Sequence, residues 1–207
     1  MTASSGTAGL DSSRVLLAGT ADWVEAFATA LSSRTGAAIE RAETAAGALE
    51  QFRTGAPDCL VTEYELREGT GIGLLREVRD ATDTFPVVVA TASGDETVAS
   101  EAVGAGATDY VPIGGADDEP VSGSKGSDEL DGFDGLDELL ERTERAVQSA
   151  DRDARRRDRA RQFEAIFDDA GTATWVLDPD GSLVRANGTA RSLPSGGDVD
   201  GTDDTAD

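Results

Sequence analysis

The chain has 207 residues, of which 41 are acidic and 18 are basic, so its formal net charge is −23. A charge of this sign and size repels phosphate groups, which argues against nucleic acid and against an anionic membrane as the main partner. The apolar runs are also far too short to span a bilayer. We therefore expect neither nucleic acid nor a membrane among its partners.

Lys125 is the only lysine, and histidine is absent. An acid excess with almost no lysine resembles the composition of proteins from salt-accumulating halophiles, notably haloarchaea. The alternative is an acidic disordered chain, but residues 14–113 combine 16 acidic side chains and 7 arginines with regular apolar runs. The single cysteine, Cys59, lies in one of these runs, so no disulfide framework exists and a reducing cytoplasm fits. The N-terminus lacks the basic start and apolar core of a signal peptide, which also indicates a cytoplasmic protein.

Five short apolar runs alternate with helix-like segments in the first half of the chain. The runs are residues 14–19, 37–42, 58–63, 86–92 and 108–113. The third and fourth are almost unbroken, as expected for strands that are covered on both faces of a parallel sheet. Between the runs, apolar residues recur at helical spacing: Val24, Phe27 and Leu31; Ala45, Leu49 and Phe52; Leu74, Leu75 and Val78; and Val98, Ala102 and Ala105. This alternation predicts an α/β fold with a doubly wound, five-stranded parallel sheet.

The composition changes after the fifth run. Residues 114–135 are rich in Gly, Asp and Ser, which is typical of a flexible acidic insert. Residues 136–169 lack Gly and Pro, and we expect them to form one long helix. Residues 174–187 are predicted to form a hairpin, with a turn supplied by the sequence D-P-D-G. The ends of the chain, residues 1–13 and 191–207, are expected to be disordered.

Glu63 closes the third apolar run and is followed by a loop with glycines at 69, 71 and 73. The carboxyl ends of parallel strands meet at one edge of a doubly wound sheet, where ligand sites form. The glycines lack the spacing and the lysine of a phosphate-binding loop, so turn geometry explains them better. Glu63 is therefore the first candidate for a functional residue.

Residues 14–113 resemble the receiver domain of two-component response regulators, a flavodoxin-like fold. Glu63 lies eight residues before Gly71, where the family's phosphoacceptor aspartate precedes a loop glycine. Thr91 with its small neighbour matches the family's switch Thr or Ser. The sequence A-G-A-T-D-Y-V matches the approach to the fifth strand, which makes Tyr110 the switch aromatic. The resemblance implies a receiver-like domain over residues 14–150, with its last helix beginning near residue 136.

The same resemblance implies that the phosphotransfer chemistry is degenerate. Gly19 and Thr20 stand where the family has the acidic pair that helps to hold Mg²⁺, and Ile113 stands where it has the lysine that pairs with the phosphoryl group. Asp22 is a weak substitute as a metal ligand, because it lies further along the helix. Glu63 is one methylene longer than aspartate, which displaces its oxygens from the position needed for in-line transfer. We therefore expect no cofactor, no Mg²⁺ and no enzymatic activity.

Glu63 is then interpreted as a fixed carboxylate at the phosphoacceptor position. It supplies about one negative charge, against about 1.5 to 2 for a phosphoryl group. Thr91 could hydrogen-bond to it and hold a constitutive, active-like state. The simpler alternatives remain open: Glu63 as a solvated acid, Thr91 as an ordinary β-branched strand residue, and Tyr110 as a packed aromatic.

Residues 161–187 resemble the opening of a PAS domain, with an entry helix, a first strand, the D-P-D-G turn, a second strand and Asn187, and we assign residues 170–190 to this PAS-like start. A receiver followed by PAS resembles the sensory kinases and opsin-activator-type regulators of haloarchaea. Too little of a PAS domain is present for a closed ligand pocket. We expect a truncated, PAS-like start.

Residues 151–169 are predicted to form a linker helix. Six arginines between 152 and 161 could be interpreted as a nucleic-acid patch, but aspartates interleave with them at helical pairing distance. A solvated helix face is the better interpretation. The apolar seam from Leu136 to Ala150 could pack on the domain's own core, form a homodimer, or both, and we prefer own-core packing for Leu136, Leu139 and Leu140.

The sequence thus predicts a two-component regulatory protein whose receiver works as an interaction module for a sensor kinase or a transcription regulator. Two alternatives stay open. One is a phosphorylatable response regulator that uses Glu63 and Asp22 with Mg²⁺, and the other is a truncated remnant of a PAS-containing sensor histidine kinase.

Overall fold

The computed structural model describes residues 10–92, 96–114 and 135–193. The strands of this part of the chain are β1 (Arg14–Ala18), β2 (Ala38–Ala42), β3 (Cys59–Glu63), β4 (Val87–Thr91), β5 (Asp109–Pro112), β6 (Trp175–Leu177) and β7 (Leu183–Ala186). Its helices are α1 (Asp22–Arg34), α2 (Ala45–Gly55), α3 (Gly71–Ala81), α4 (Glu96–Gly104), α5 (Leu136–Asp169) and α6 (Gly188–Ser192). Two compact units divide between Arg152 and Asp153, and we refer to them as the first and second units.

Five parallel strands form the sheet of the first unit in the order β2-β1-β3-β4-β5. The predicted fold class and the five predicted strands are confirmed, with small differences at the strand ends. The strand order reverses between β1 and β3, so the carboxyl ends of these neighbours flank the crevice in which doubly wound folds place their sites.

Two apolar clusters cover the two faces of this sheet because successive strand side chains point to opposite faces. Val15 and Leu17 of β1 pack in one cluster with Phe27 of α1 and Leu139 of α5. Leu16, between them in sequence, packs in the other cluster, to which α2, α3 and α4 contribute. Burial on both faces explains the nearly unbroken apolar runs of β3 and β4.

Helix α5 begins and ends at the predicted residues, and its first half belongs to the first unit. Leu136 and Leu139 are buried in the unit's own core, and Leu140 packs against it partly buried, as we preferred. Arg142 Nη1 donates to both carboxylate oxygens of Asp109 in β5, at 2.7 and 2.9 Å. This charge-assisted pairing raises the pKa of Arg142 and ties the helix to the sheet edge.

The predicted disordered ends need two corrections. Leu10 is fully buried in the core of the first unit, and the Asp11 carboxylate accepts a hydrogen bond from the Gly36 amide at 3.1 Å. Leu10 and Asp11 therefore belong to the folded first unit, because the leucine side chain is part of its apolar core. At the other end, helix α6 includes Arg191 and Ser192, which the sequence had assigned to the tail. Most of the predicted acidic insert, residues 115–134, and the tail from residue 194 lie outside the described residues, as do residues 1–9.

The second unit contains the predicted hairpin, with β6 and β7 paired antiparallel. Asn187 is fully buried beside it. Its Oδ1 accepts from the amides of Thr174 and Ala190, at 3.0 and 2.9 Å, and its Nδ2 donates to the carbonyls of Ala170 and Thr172. One neutral side chain thus joins the loop before β6 to the start of α6.

No helix in the described part of the chain is both long enough and apolar enough to cross a membrane.

Candidate functional site at the carboxyl edge of the sheet

The carboxyl ends of β1, β3 and β4 bring most of the predicted site residues to one edge. Ala18 pairs with Thr62, so Gly19 and Thr20 lie beside Glu63. On the other side, Glu63 pairs with Ala90, and Thr91 follows directly. The convergence that we predicted from the strand pattern is therefore present.

The Glu63 carboxylate is held by the chain segment that leads into α1. Glu63 Oε2 accepts hydrogen bonds from the backbone amides of Thr20 at 3.1 Å and of Ala21 at 3.2 Å. Ala21 is the N-cap of α1, and its side chain has no acceptor to offer. A carboxylate at a helix N-terminus is favoured by the helix dipole and by the otherwise unpaired amides there. Glu63 thus supplies the acceptor that the helix start lacks.

Gly19 leaves the space that this arrangement needs. A Cβ atom built at position 19 would lie 2.9 Å from each of three atoms: the Cβ of Glu63, the Oε2 of Glu63 and the Cγ2 of Val24. Real Cβ atoms do not approach other atoms this closely. The Glu63 carboxylate can therefore occupy this position only because residue 19 has no side chain.

The loop after β3 packs equally closely on the other side of Glu63. A Cβ at Gly71 would overlap the Glu63 carbonyl oxygen, and the Gly71 amide donates to the Tyr64 carbonyl at 2.8 Å. Thr70 caps α3 by accepting from the Gly73 amide at 3.0 Å. Gly69 has a φ of +86°, which favours glycine. Turn and cap geometry account for this glycine run, as we expected.

Two further residues that the sequence singled out are Ile113, which is buried, and Asp22, which is exposed. Ile113 is 2% exposed and belongs to the core cluster that contains Phe27, so no cation can occupy its place. Asp22 lies exposed in the first turn of α1. Within the described residues, no group of three or more acidic, Cys or His side chains could hold a metal ion. Because Mg²⁺ prefers oxygen ligands in strict octahedral geometry, the residues that we can place at this edge do not fit it.

Thr91 and Tyr110 lie next to the site on β4 and β5. Thr91 is buried, and its carbonyl accepts from the Ile113 amide at 2.9 Å. Tyr110 is partly buried and packs against the cluster formed with α2, α3 and α4. The predicted hydrogen bond between Thr91 and Glu63 stays a prediction.

The arginine-rich part of α5 is exposed throughout residues 152–161. Arg156 pairs with Asp153 at 3.7 Å, and Arg161 pairs with Asp158 at 2.9 Å. The interleaved aspartates therefore take up part of the charge, as expected of a solvated helix face.

Sequence reasoning missed the partners of Glu63 in this site. The acceptor position was clear from the strand end, but the two donors are backbone amides, which carry no residue signature. The signal that could have found them is the combination of a glycine directly after β1 with a side chain longer than aspartate at the end of β3. Read together, these two substitutions suggest a longer carboxylate filling the space of a missing side chain.

Comparisons with known proteins match the part of the chain that contains this site. Residues 20–113 match the family model of the response regulator receiver domain, which is 94 of 207 residues. The chemotaxis protein CheY of Bacillus subtilis is 26% identical over 73 residues, which cover 35% of this chain and 61% of CheY. The chain therefore matches less than two thirds of the length of this relative.

Solved structures show the same fold. A putative response regulator from Chloroflexus aurantiacus superposes with a TM-score of 0.52 and 23% identity, over 67% of this chain and 99% of the other. NtrX from Brucella abortus superposes with a TM-score of 0.56 and 22% identity, over 71% of this chain and 29% of the other. At these identities the structures support the fold alone.

Proposed function

We propose that this chain, whose residues 20–113 form a response regulator receiver domain, acts as a protein-interaction module of two-component signalling without accepting a phosphoryl group. The observation that carries this proposal is the seating of Glu63 Oε2 on the amides of Thr20 and Ala21. Hydrogen bonds from two amides withdraw charge from the carboxylate, which makes it a poorer nucleophile, and they fix the orientation of its other oxygen, Oε1.

The surroundings of Glu63 support the same conclusion. Phosphoryl transfer depends on positioning and on positive charge around the transferred group. Gly19 and Thr20 supply no carboxylate for Mg²⁺, and Ile113 supplies no ammonium group. At an effective dielectric near 20, each unit charge lost at about 4 Å removes roughly 4 kcal/mol of Coulomb attraction. We infer that Mg²⁺ is not used and that the domain has no enzymatic activity of its own.

In this proposal Glu63 acts as a built-in anion. It stands permanently at the end of β3, where a phosphoryl group would otherwise be attached, and it is joined to the start of α1. Thr91 lies on the adjacent strand β4 and Tyr110 on β5 beyond it, and in this proposal these two residues transmit the presence of the charge to the partner. The partner is a signalling protein, either a sensor kinase or a transcription regulator, and the protein acts in the cytoplasm of a halophile. Residues 170–190, with the buried Asn187, would be a PAS-like start.

Treatment with a small phosphodonor tests this proposal. The full chain is incubated with acetyl phosphate and Mg²⁺ in molar KCl, and its intact mass is measured. We expect no added phosphoryl group, whereas a receiver domain that retains both acids and the lysine gains one under the same conditions. Glu63→Gln serves as the matched control.

A stoichiometric adduct that hydroxylamine removes, and that Glu63→Gln abolishes, would be an acyl phosphate on Glu63. That result would replace the proposal by the phosphorylatable response regulator, with Asp22 as the additional Mg²⁺ ligand. An adduct that survives in Glu63→Gln would lie on another residue; it would leave Glu63 as a fixed charge but would overturn the statement that the chain accepts no phosphoryl group.

A further inference from the structure

The second unit exposes most of the large apolar side chains that the described chain leaves in solvent. Eight such side chains are exposed, and seven of them belong to residues 153–193; the exception is Val103 in α4. The seven are Phe163, Ile166, Trp175, Leu177, Leu183, Val184 and Leu193. A two-stranded hairpin is only marginally stable in water by itself, so burial of some of this exposed apolar surface would stabilise the unit.

Residues 153–193 of this unit are electrically neutral in a strongly acidic chain, and the five aspartates of residues 194–207 give the unit as a whole a net charge of −5. Residues 153–193 contain seven arginines and seven acidic residues, whereas residues 1–152 contain 29 acidic and 11 basic residues. Self-repulsion keeps copies of a highly charged protein apart, and a neutral segment is where two copies can meet at the lowest electrostatic cost. The neutral segment and the exposed apolar side chains coincide.

The charges within this segment are also separated along the chain. Residues 153–161 carry five arginines and two aspartates, which is a net charge of +3. Residues 162–193 carry two arginines and five acidic residues, which is a net charge of −3. A segment with one positive and one negative half is complementary to a second copy of itself in the reversed direction.

One side of α5 carries both features in a symmetric order. Arg159, Phe163, Ile166 and Asp169 follow one another at intervals of four, three and three residues, which places them on one side of the helix. We call these four residues the α5 stripe. Phe163 is 54% and Ile166 is 65% exposed. Among the described residues, neither Arg159 nor Asp169 has an ion-pair partner in its own chain.

We propose that the α5 stripe is a homodimer interface in which the same helix of a second copy packs antiparallel. A two-fold axis near Glu164 and Ala165 places Phe163 of each copy against Ile166 of the other. The same axis places Arg159 of each copy beside Asp169 of the other. Both the apolar contact and the two charge pairs are therefore satisfied by one rotation.

The parallel arrangement is disfavoured by the same residues. A parallel pair at equal height would set Arg159 against Arg159 and Asp169 against Asp169, and like charges at a helix seam cost affinity. The antiparallel arrangement also opposes the two helix dipoles, which adds a small favourable term. The proposal is independent of the receiver's phosphorylation state.

Sedimentation of the full chain tests the interface. The measurement uses the lowest KCl concentration that keeps the protein folded, so that charge pairs are little screened. We expect a reversible dimer at protein concentrations up to about 100 µM, in the range of small interfaces. Ile166→Asp should weaken dimerisation about tenfold or more. Val103→Asp, which changes the exposed apolar residue of the first unit, is the matched control and should have no effect.

Charge exchange tests the orientation. Arg159→Glu alone should weaken self-association several-fold, because it faces Asp169 of the second copy. The double variant Arg159→Glu, Asp169→Arg should regain the affinity of the original chain for itself. Energy transfer between labelled copies should show that the double variant does not mix with the original chain. Arg157→Glu, on the opposite side of the helix, is the control for charge reversal and should leave dimerisation unchanged.

A chain that stays monomeric at these concentrations would overturn the proposal. So would equal dimerisation of the original chain and Ile166→Asp. Preferential mixing of the double variant with the original chain would overturn the antiparallel orientation, because only a parallel pair gains from that exchange.

Discussion

The two units of this protein differ in how far they bury their apolar side chains. The first unit encloses a five-stranded sheet between two apolar clusters, and it closes its polar edge by seating Glu63 on two amides. Within its described residues, 153–193, the second unit buries little besides Phe167, Asn187 and Ala190, and it leaves seven large apolar residues exposed. The first unit is thus stabilised mainly by burial, and the second by hydrogen bonds around one side chain.

The largest expected effect is at Gly19. Gly19→Ala adds one methyl group where three atoms already lie 2.9 Å from the new Cβ, and overpacking of this kind costs about 1–3 kcal/mol. The free energy of unfolding is measured by urea titration in constant molar KCl, with circular dichroism as the signal. Gly104→Ala is the matched control, because a Cβ there meets no atom within 4 Å.

The coupling to Glu63 can be isolated with a double-mutant cycle. Glu63→Ala removes Oε2, one of the three close atoms, so Gly19→Ala should cost less in that background. If Gly19→Ala costs the same with and without the Glu63 carboxylate, position 19 and Glu63 are not coupled. The seating of Glu63 would then be a weak contact and could not carry the proposed function.

Asn187→Ala is expected to have the next largest effect, and only in the second unit. It removes four hydrogen bonds, but only the Ala190 amide is left buried without this partner, at about 1–3 kcal/mol, because the other three bonds are only partly buried. Hydrogen exchange followed by mass spectrometry should show faster exchange in peptides from residues 170–193, with those from residues 14–92 unchanged.

Thr189→Ala is the matched control for Asn187→Ala. It removes a single hydrogen bond, of 3.2 Å, to the same Ala170 carbonyl, and it should change exchange only slightly. Faster exchange of both units in Asn187→Ala would contradict the separation of the two, because it would mean that they unfold together.

Salt concentration should affect the stability of the two units to different extents, because their charges differ. The net charge of −18 on residues 1–152 disfavours a compact first unit at low ionic strength, whereas residues 153–193 are neutral. We therefore expect the α/β circular dichroism signal to grow toward molar KCl, mainly through the first unit. An unchanged, cooperative melt in dilute buffer would count against the halophile interpretation.

Cys59 reports on the first unit alone in this experiment. Burial, with a smaller contribution from Asp58, raises the pKa of the Cys59 thiol to about 12. The folded protein therefore keeps the thiol neutral and inaccessible, and iodoacetamide should label Cys59 only when the first unit opens. Labelling should fall steeply as KCl rises. Since the thiol of the unfolded chain ionises at lower pH, stability from this group is also lost as pH rises from about 9 toward 12.

Some of these structural features could be predicted from the sequence, and others could not. The five strands and the bounds of α5 were predictable because unbroken apolar runs and a stretch without Gly or Pro are local signals. The burial of Leu10 was not, since a single leucine among polar residues looks like a disordered end. The contact between Gly19 and Glu63 joins residues 44 positions apart in sequence and depends on the direction of one side chain, which no local pattern specifies.

The smallest expected change in stability comes from Glu63→Gln, and it tests the charge alone. Glutamine keeps the size of the side chain and an oxygen that can accept from the Thr20 and Ala21 amides, so the contacts with Gly19 persist. The loss of charge removes the attraction to the helix dipole, about 0.3–1 kcal/mol. The exchange rates of the amides at the start of α1 should rise a few-fold in proportion.

The functional readout of Glu63→Gln should be larger than its effect on stability. If the charge holds the partner-binding arrangement, recovery of the signalling partner from cell extract should fall in Glu63→Gln. It should fall further in Thr91→Ala if a hydrogen bond from Thr91 to Glu63 holds that state. Equal recovery with the original chain and both variants would leave Glu63 as a helix-capping acid of the first unit, with a structural role and no part in signalling.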